Sequence, residues 1–179
     1  MQKQVSMNYF VSKFFITLAT VFAIGCTPNS DKLAQQCFKL IDETAWSKRW
    51  GEALKPCLQA AEQGNARAQY WVGSMYHSGH GTERSYELAA RWWLTAARQG
   101  DGESQLNIAG LYRDGAGVLK DPVAAHMWYN IAATKDGLFD AAARYRDELE
   151  QILSPQQLAT AERMAKQCVT SNYEKCDEY

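Results

Sequence analysis

The chain has 179 residues, 46% of them hydrophobic and 22% charged, which is enough for one domain with a substantial core and too few for a multidomain enzyme. Its formal net charge of -1 disfavours nucleic acid and other polyanions as partners. Its 6 tryptophans and 9 tyrosines exclude collagen-like and disordered chains, because that much aromatic surface must be buried.

Residues 1–25 have the features of a secretory signal peptide. Lys3 and Lys13 make the start of the chain basic, and the uncharged stretch 14–25 follows. A membrane-spanning helix requires about 20 apolar residues, and this stretch is shorter. We therefore expect residues 1–25 to be removed during export.

The junction Gly25-Cys26 resembles the signal of bacterial lipoproteins, in which the cysteine is lipidated and becomes the first residue of the mature protein. The resemblance implies acyl chains such as palmitate on Cys26, with residues 26–32 as a short tether. Two or more chains would hold the protein on a membrane. By the same resemblance, Thr27 implies the outer membrane of a bacterial cell envelope, with the protein facing the periplasm.

The rest of the chain repeats with a period of 36 residues. Aromatic, glycine and alanine residues recur at this shift: Tyr76 and Tyr112, Gly79 and Gly115, Gly81 and Gly117, Ala89 and Ala125, and Trp92 and Trp128. A fixed period of this length is typical of a solenoid built from helix pairs. The pattern predicts repeats at 65–100 and 101–137 within a solenoid that spans 33–168.

Each unit predicts a helix A, a turn and a helix B. The apolar faces comprise Ala68, Val72, Met75 and Tyr76 on helix A and Ala89, Trp92, Trp93 and Ala96 on helix B. Gly79 and Gly81 form the turn between helix A and helix B, since glycine adopts the positive φ that a chain reversal requires. The small residue Gly73 is expected to face Ala89, with the tryptophan rings filling the space beside this contact.

These units resemble the Sel-1-like repeat (SLR) family, a relative of tetratricopeptide repeats. The resemblance lies in the joint spacing of the Gly-x-Gly turn, the Trp-aromatic pair and the Ala-Ala pair, with departures at Thr82, Ser85 and Ala109. It implies an all-α, right-handed α-solenoid of helix-turn-helix repeats that works as a binding scaffold and not as an enzyme. Some cysteine-rich relatives are associated with weak β-lactamase or penicillin-binding activity, so an enzyme that processes β-lactams or peptidoglycan fragments is the alternative.

The flanks of the two full units are expected to cap the solenoid. Residues 33–64 form a degenerate first repeat that lacks the Gly-x-Gly turn. Residues 138–168 form two capping helices, the first predicted at 141–153, and Ser154 followed by proline begins the second with a capping box. Terminal units with a polar outer face keep such a stack soluble. Residues 169–179 then form a C-terminal tail.

Four cysteines are left for disulfides in an oxidising envelope compartment. Cys37 and Cys57 are equivalent to a helix A glycine and a helix B tryptophan of the next unit, so a disulfide between them would staple the two helices of the first repeat. Cys176 lies eight residues after Cys168 and would join the tail to the last helix. Each closure would contribute about 2 to 4 kcal/mol.

No cofactor, metal site or catalytic residue is predicted. His77 and His80 have the spacing of two metal ligands, but a site requires three or four and a second shell. The Gly79-x-Gly81 turn follows a helix and not a strand, which argues against a phosphate loop. Trp92 and Trp93 have the helical spacing of core residues, which disfavours a surface platform for stacking bases or sugars.

The inner, concave surface of a tetratricopeptide-like stack is lined by helix A and is the expected binding place for a protein or peptide of the cell envelope. The helix A positions not needed for the core are predicted to contact this partner: Arg67, Tyr70, Ser74, His77, Glu103, Leu106 and Arg113. Tyr70 and Leu106 are equivalent and would form an apolar strip. His77 and Arg113 would rim it, and Arg113 would orient a carboxylate or a backbone carbonyl.

Overall fold

The computed structural model describes residues 28–44, 50–135 and 137–176. This part of the chain is all-helical, and its eight helices are α1 (Pro28–Thr44), α2 (Trp50–Glu62), α3 (Ala66–Ser78), α4 (Tyr86–Ala97), α5 (Gly102–Asp114), α6 (Pro122–Ala132), α7 (Phe139–Glu150) and α8 (Pro155–Thr170). The predicted signal peptide, 1–25, and the predicted lipidation residue, Cys26, lie outside the described residues.

The helices form a solenoid of antiparallel pairs. Helix A and helix B of the first three pairs are α1 with α2, α3 with α4, and α5 with α6, and the pairs are joined by packing of α2 on α3 and of α4 on α5. The last pair differs, because α7 and α8 each pack mainly against α6. The architecture is the helix-turn-helix solenoid predicted from the period.

Capping residues set the helix boundaries. Polar side chains at the N-caps accept hydrogen bonds from backbone N–H groups of the first turns; the N-cap residues are Asn65, Ser85, Asp101, Asp121 and Ser154. Ser154 forms a capping box with Gln157, as predicted. At the other end of helix A, Gly79 and Gly115 adopt the left-handed conformation and donate hydrogen bonds back to the last turn.

The second glycine of each turn contacts the preceding repeat. A Cβ at Gly81 would lie 2.6 Å from the backbone nitrogen of Gly51, at the start of α2. A Cβ at Gly117 would overlap the backbone of Tyr86, at the start of α4. Both glycines also have positive φ, 74° and 70°. The turn of one repeat therefore rests directly on helix B of the one before it.

Helix A and helix B of the second unit meet through an indole ring. The Trp93 ring lies directly over Gly73, where a Cβ would come within 2.5 Å of Cδ1, so the ring occupies the contact that was expected to be made by Ala89. The Trp93 Nε1–H donates to the carbonyl of Tyr70 at 3.1 Å. A buried indole with a satisfied donor orients the two helices.

Buried glutamines tie each helix A to the preceding helix B. The side-chain amide of Gln69 donates to the carbonyl of Ala61 at 3.0 Å, and that of Gln105 donates to Ala97 at 3.1 Å. Both acceptors lie in the last turn of helix B, where carbonyls lack helical partners. The glutamines are one period apart, so the same interaction recurs at successive repeat junctions.

Both predicted disulfides are present. Cys37 and Cys57 are fully buried between α1 and α2, with 4.7 Å between their Cα atoms. Cys168 and Cys176 join the end of α8 to the turn that follows, with 4.3 Å between Cα atoms. The first disulfide lies at the positions equivalent to the glycine and tryptophan contact of the next repeat.

The C-terminal turn packs on the body of the solenoid and is not a free tail. The Tyr173 hydroxyl accepts a hydrogen bond from Lys135 at 3.0 Å, and its ring lies over Gly100. These two residues belong to the α6–α7 and α4–α5 connections. The disulfide-closed turn thus bridges two repeats.

The ends of several elements differ from the predicted boundaries. α1 begins at Pro28, so residues 28–32 are helical and do not form part of a tether; proline suits the first turn of a helix, and Asp31 favours its N-terminus. α7 begins at Phe139 and ends at Glu150 instead of spanning 141–153. α8 continues two residues into the predicted tail, to Thr170.

A groove on the helix A face

A groove of about 550 Å³ runs along the helix A face between α3, α5 and α7. Helix B rings form its floor, since Trp93 and Tyr129 are 4% and 1% exposed and still line it. We call it the helix A groove; its walls include Trp71, Ser74, His77, Ser78, Leu106, Asn107, Gly110, Arg113, Asp114 and Tyr145. Its volume lies in the range typical of ligand sites.

Several aromatic rings line the groove. Tyr145 of α7 stacks on Tyr129 at a centroid separation of 5.3 Å. At the other end, Trp50 stacks on His80 at 5.1 Å. Gly110 also lines the groove, and a Cβ there would meet only the Tyr129 hydroxyl, at 3.6 Å. The groove therefore has open space beside Tyr129.

His77 belongs to the aromatic wall. Its ring centroid lies 5.1 Å from that of Trp93 and 5.3 Å from that of Tyr86. Burial lowers the pKa of His77, and the nearby positive charge of Arg84 lowers it further. The imidazole is consequently neutral at pH 7, where it contributes hydrogen-bonding groups and no charge to the groove.

Arg113 is held in place by two neighbours. Its guanidinium makes a bidentate pair with Asp114, at 2.7 and 3.0 Å, and its Cζ atom lies 4.8 Å from the Tyr145 ring centroid. The hydrogen bond between them raises the pKa of Arg113 and lowers the pKa of Asp114. Arg113 therefore has a carboxylate partner within the chain, Asp114. The sequence analysis expected Arg113 to orient a carboxylate or carbonyl of the partner.

Of the seven residues predicted to contact a partner, four line the helix A groove: Ser74, His77, Leu106 and Arg113. Arg67 and Tyr70 are not among the residues that line the groove, and the Arg67 guanidinium lies over the ring of Phe38 in α1, 4.6 Å from its centroid. Tyr70 is half-buried against the ring of Trp71, at 5.2 Å. Glu103 lies in the first turn of α5. The pKa of Tyr70 is raised mainly by burial of its own side chain and secondly by the negative charge of Glu103.

Trp71, Asn107 and Tyr145 are among the groove-lining residues that the sequence interpretation did not assign to a partner. Trp71 and Asn107 are one period apart, directly after the positions assigned to the apolar strip. An error of one residue turns a helix by about 100°, which is enough to exchange a groove position for its neighbour. Tyr145 lies on α7, which follows the period less closely.

Two serine hydroxyl groups line the groove. The Ser74 hydroxyl donates to the carbonyl of Tyr70 and the Ser78 hydroxyl to that of Ser74, so both are engaged by their own helix. Within the described ranges, no three His, Cys, Asp or Glu side chains are grouped so as to hold a metal ion. None of the helices described has the length and apolarity needed to cross a membrane.

Comparison with known proteins identifies the repeats. The family model for the Sel1 repeat matches residues 66–101 and 102–137. A protective antigen of uropathogenic Escherichia coli that displays an SLR fold superposes with a TM-score of 0.71 at 26% identity over 80% of this chain. A Sel1 repeat protein from Oxalobacter formigenes superposes with a TM-score of 0.54 at 32% identity over 60% of this chain.

The chain spans 31% of the first of these structures and 43% of the second, so both relatives are much longer. No curated protein matches the chain. The repeat matches and the shared fold nevertheless agree with the 36-residue period and with the helix pairs described above. The chain therefore contains two Sel1 repeats within a solenoid that is similar to the SLR fold.

Proposed function

We propose that this protein is an envelope-anchored scaffold that holds a protein or peptide partner in the helix A groove. Sel1 repeats serve in general as protein-interaction scaffolds, which supports a binding role for this fold. The observation that carries the proposal is the groove itself, a preformed aromatic-lined depression of about 550 Å³. Burial of aromatic surface is the main source of affinity at protein interfaces.

The anchor in this proposal is the lipidated Cys26. Because α1 begins at Pro28, only one residue separates the lipidated cysteine from the first helix. The solenoid would therefore stand close to the membrane surface, with its first repeat nearest to the lipid.

We expect Cys26→Ser to abolish incorporation of a labelled fatty acid and to release the protein from the membrane fraction, because the thiol is the acylated group. The measurement is metabolic acyl labelling followed by fractionation. Thr27→Ser is the control, since it changes the adjacent residue, keeps the thiol of Cys26 and both disulfides, and should retain the label. Continued labelling of the Cys26→Ser protein would contradict the assignment.

The groove is tested by site-specific photocrosslinking in intact cells. A photoreactive amino acid at Asn107, which lines the groove, should give a discrete adduct. The same amino acid at Thr95, exposed on helix B, should not. Gly110→Leu should then remove the Asn107 adduct, because the leucine side chain would occupy the open groove space beside Tyr129.

Thr95→Leu is the control for the blocking variant, since it adds a leucine on the opposite helix face. Circular dichroism should show unchanged helical content for both variants. An adduct from Thr95 equal to that from Asn107, or an Asn107 adduct that persists in Gly110→Leu, would place the partner on another surface.

A further inference from the structure

A buried hydroxyl group in the floor of the helix A groove has no partner. Tyr129 of α6 is almost fully buried, and its side chain lines the groove. Its hydroxyl makes no hydrogen bond in the part of the chain that the structure describes. Buried polar groups are normally hydrogen-bonded, because leaving one unpaired costs free energy. A ligand in the groove would supply the missing partner.

The equivalent residue of the preceding unit has its partner within the chain. Trp93 is one period before Tyr129, and its Nε1–H donates to the carbonyl of Tyr70 at 3.1 Å. The indole reaches this carbonyl by lying over Gly73, whereas the third unit has Ala109 at the glycine position. The same helix B position therefore joins two helices in one unit and leaves a free donor in the next.

Open space adjoins the Tyr129 hydroxyl. Gly110 of α5 lines the groove, and the hydroxyl is the one neighbour within 4 Å that a Cβ there would meet, among the described residues. One unit earlier the equivalent residue is Ser74, whose hydroxyl donates to its own helix. Glycine at position 110 therefore leaves room for an atom of a ligand to approach the phenol.

The surroundings of this hydroxyl favour a neutral acceptor. Burial raises the pKa of Tyr129 to about 12, so the oxygen keeps its proton at pH 7 and can donate it to a hydrogen bond. The positive charge of Arg113 lowers this pKa, and the negative charges of Asp114 and Glu148 raise it. Because charges of both signs act on the residue, neither an anion nor a cation is selected.

Two further donors along the groove are unused. Trp71 on α3 and Asn107 on α5 are one period apart, and both line the groove. Within the described ranges, neither the indole N–H nor the side-chain amide makes a hydrogen bond. A polypeptide has a neutral acceptor, the main-chain carbonyl, at every residue, but a helix uses its carbonyls internally. Unused donors on successive units therefore match an extended segment better than a helix.

We propose that the Tyr129 hydroxyl donates a hydrogen bond to a main-chain carbonyl of the partner, which enters the space beside Gly110 as an extended segment. This inference rests on the function proposed above and names the conformation and the chemical group of its partner. The aromatic rings of the groove supply apolar contact, and the hydroxyl fixes the position of the main chain along it.

The probe is the end-blocked peptide acetyl-Gln-Phe-Gln-Phe-Gln-amide, which is uncharged and too short to form a stable helix. Its binding to the purified full chain is measured by isothermal titration. Tyr129→Phe removes the hydroxyl and keeps the ring, so it should weaken binding about threefold to tenfold, the range for one neutral hydrogen bond. Transferred nuclear Overhauser effects should show the sequential Hα–HN pattern of an extended bound peptide.

Tyr76→Phe is the matched control, because Tyr76 is also partly buried and is not among the groove-lining residues. It should leave the affinity unchanged. Urea denaturation distinguishes a binding role from a structural one: the hydroxyl has no partner in the free protein, so Tyr129→Phe should keep or raise the midpoint. An unchanged affinity or a lowered midpoint in Tyr129→Phe, a helical bound peptide, or no binding at millimolar concentration would overturn the inference.

Gly110→Leu separates this inference from the proposed function. If it abolishes peptide binding while Tyr129→Phe has no effect, the groove stands as the binding site and the hydrogen bond is wrong. If it leaves peptide binding intact, the groove is not the site, and both proposals fail.

Discussion

We expect Gly81→Ala to lower the free energy of unfolding by about 3 kcal/mol or more, and Gly79→Ala to lower it by about 1 to 2 kcal/mol. The two glycines belong to one turn and have nearly the same φ, 74° and 76°. Both substitutions therefore carry the cost of a left-handed alanine. The two substitutions differ in how close the new Cβ would come to neighbouring atoms.

The Cβ at Gly79 would lie no closer than 3.5 Å to any neighbour, which is ordinary van der Waals contact. The Cβ at Gly81 would lie 2.6 Å from backbone atoms at the start of α2, which can move only if the first two repeats separate. Urea denaturation of the purified protein measures both values. Equal losses for the two variants would show that only φ matters and that the turn does not support the preceding repeat.

A similar comparison is available one repeat later, because Gly115 and Gly117 have φ values of 73° and 70°. A Cβ at Gly115 would lie 3.0 Å from the Lys120 Cβ, closer than any contact at Gly79. Gly117 is the residue whose Cβ would overlap the backbone of Tyr86. We expect the order of the two losses to repeat. Agreement between the two pairs would assign the effect to the turn geometry and exclude a local property of the first repeat.

The double replacement Cys37→Ala with Cys57→Ala should cost about 3 kcal/mol, the loop-closure value for a separation of this size. The cysteines are 20 residues apart and fully buried between α1 and α2. Residues 45–49, between these helices, contain no glycine, and the disulfide links the two helices covalently. Chemical denaturation under oxidising conditions measures the loss.

Cys168→Ala with Cys176→Ala is the matched control. That disulfide closes a separation of only 8 residues, so its removal should cost about 2.5 kcal/mol, less than the first pair. Hydrogen exchange should show the first loss in α1 and α2 and the second in α8 and the turn after it. A wild-type protein that keeps its full stability after complete reduction of its disulfides would contradict both expectations.

Several features of this protein follow from its sequence by itself. The 36-residue period, the helix caps and the Gly-x-Gly turns depend on residues close together in the chain, and they predicted the helix pairs and most of their boundaries. The partners of both disulfides also followed from local position, since Cys37 and Cys57 are one period before a helix A and helix B contact. Spacing along the chain is enough to predict features that form within one repeat.

The tertiary structure decided which helix A residues form the groove, because that depends on how successive repeats rotate against each other. A period states which positions are equivalent and does not state which of two adjacent positions faces a groove. Tyr70 therefore lies half-buried and Trp71 lines the groove, although the sequence favours the former as a contact residue.

The tertiary structure likewise decided the chemistry at the α7 end. Asp114 follows Arg113 in the chain, but only the folded geometry makes their pair bidentate and brings the Arg113 and Arg144 guanidinium groups to 4.8 Å from the Tyr145 ring centroid. α7 departs from the period, begins at Phe139 and packs on α6. The 36-residue period does not predict the contacts of a helix that departs from it. The sequence alone therefore did not place Tyr145 in the groove.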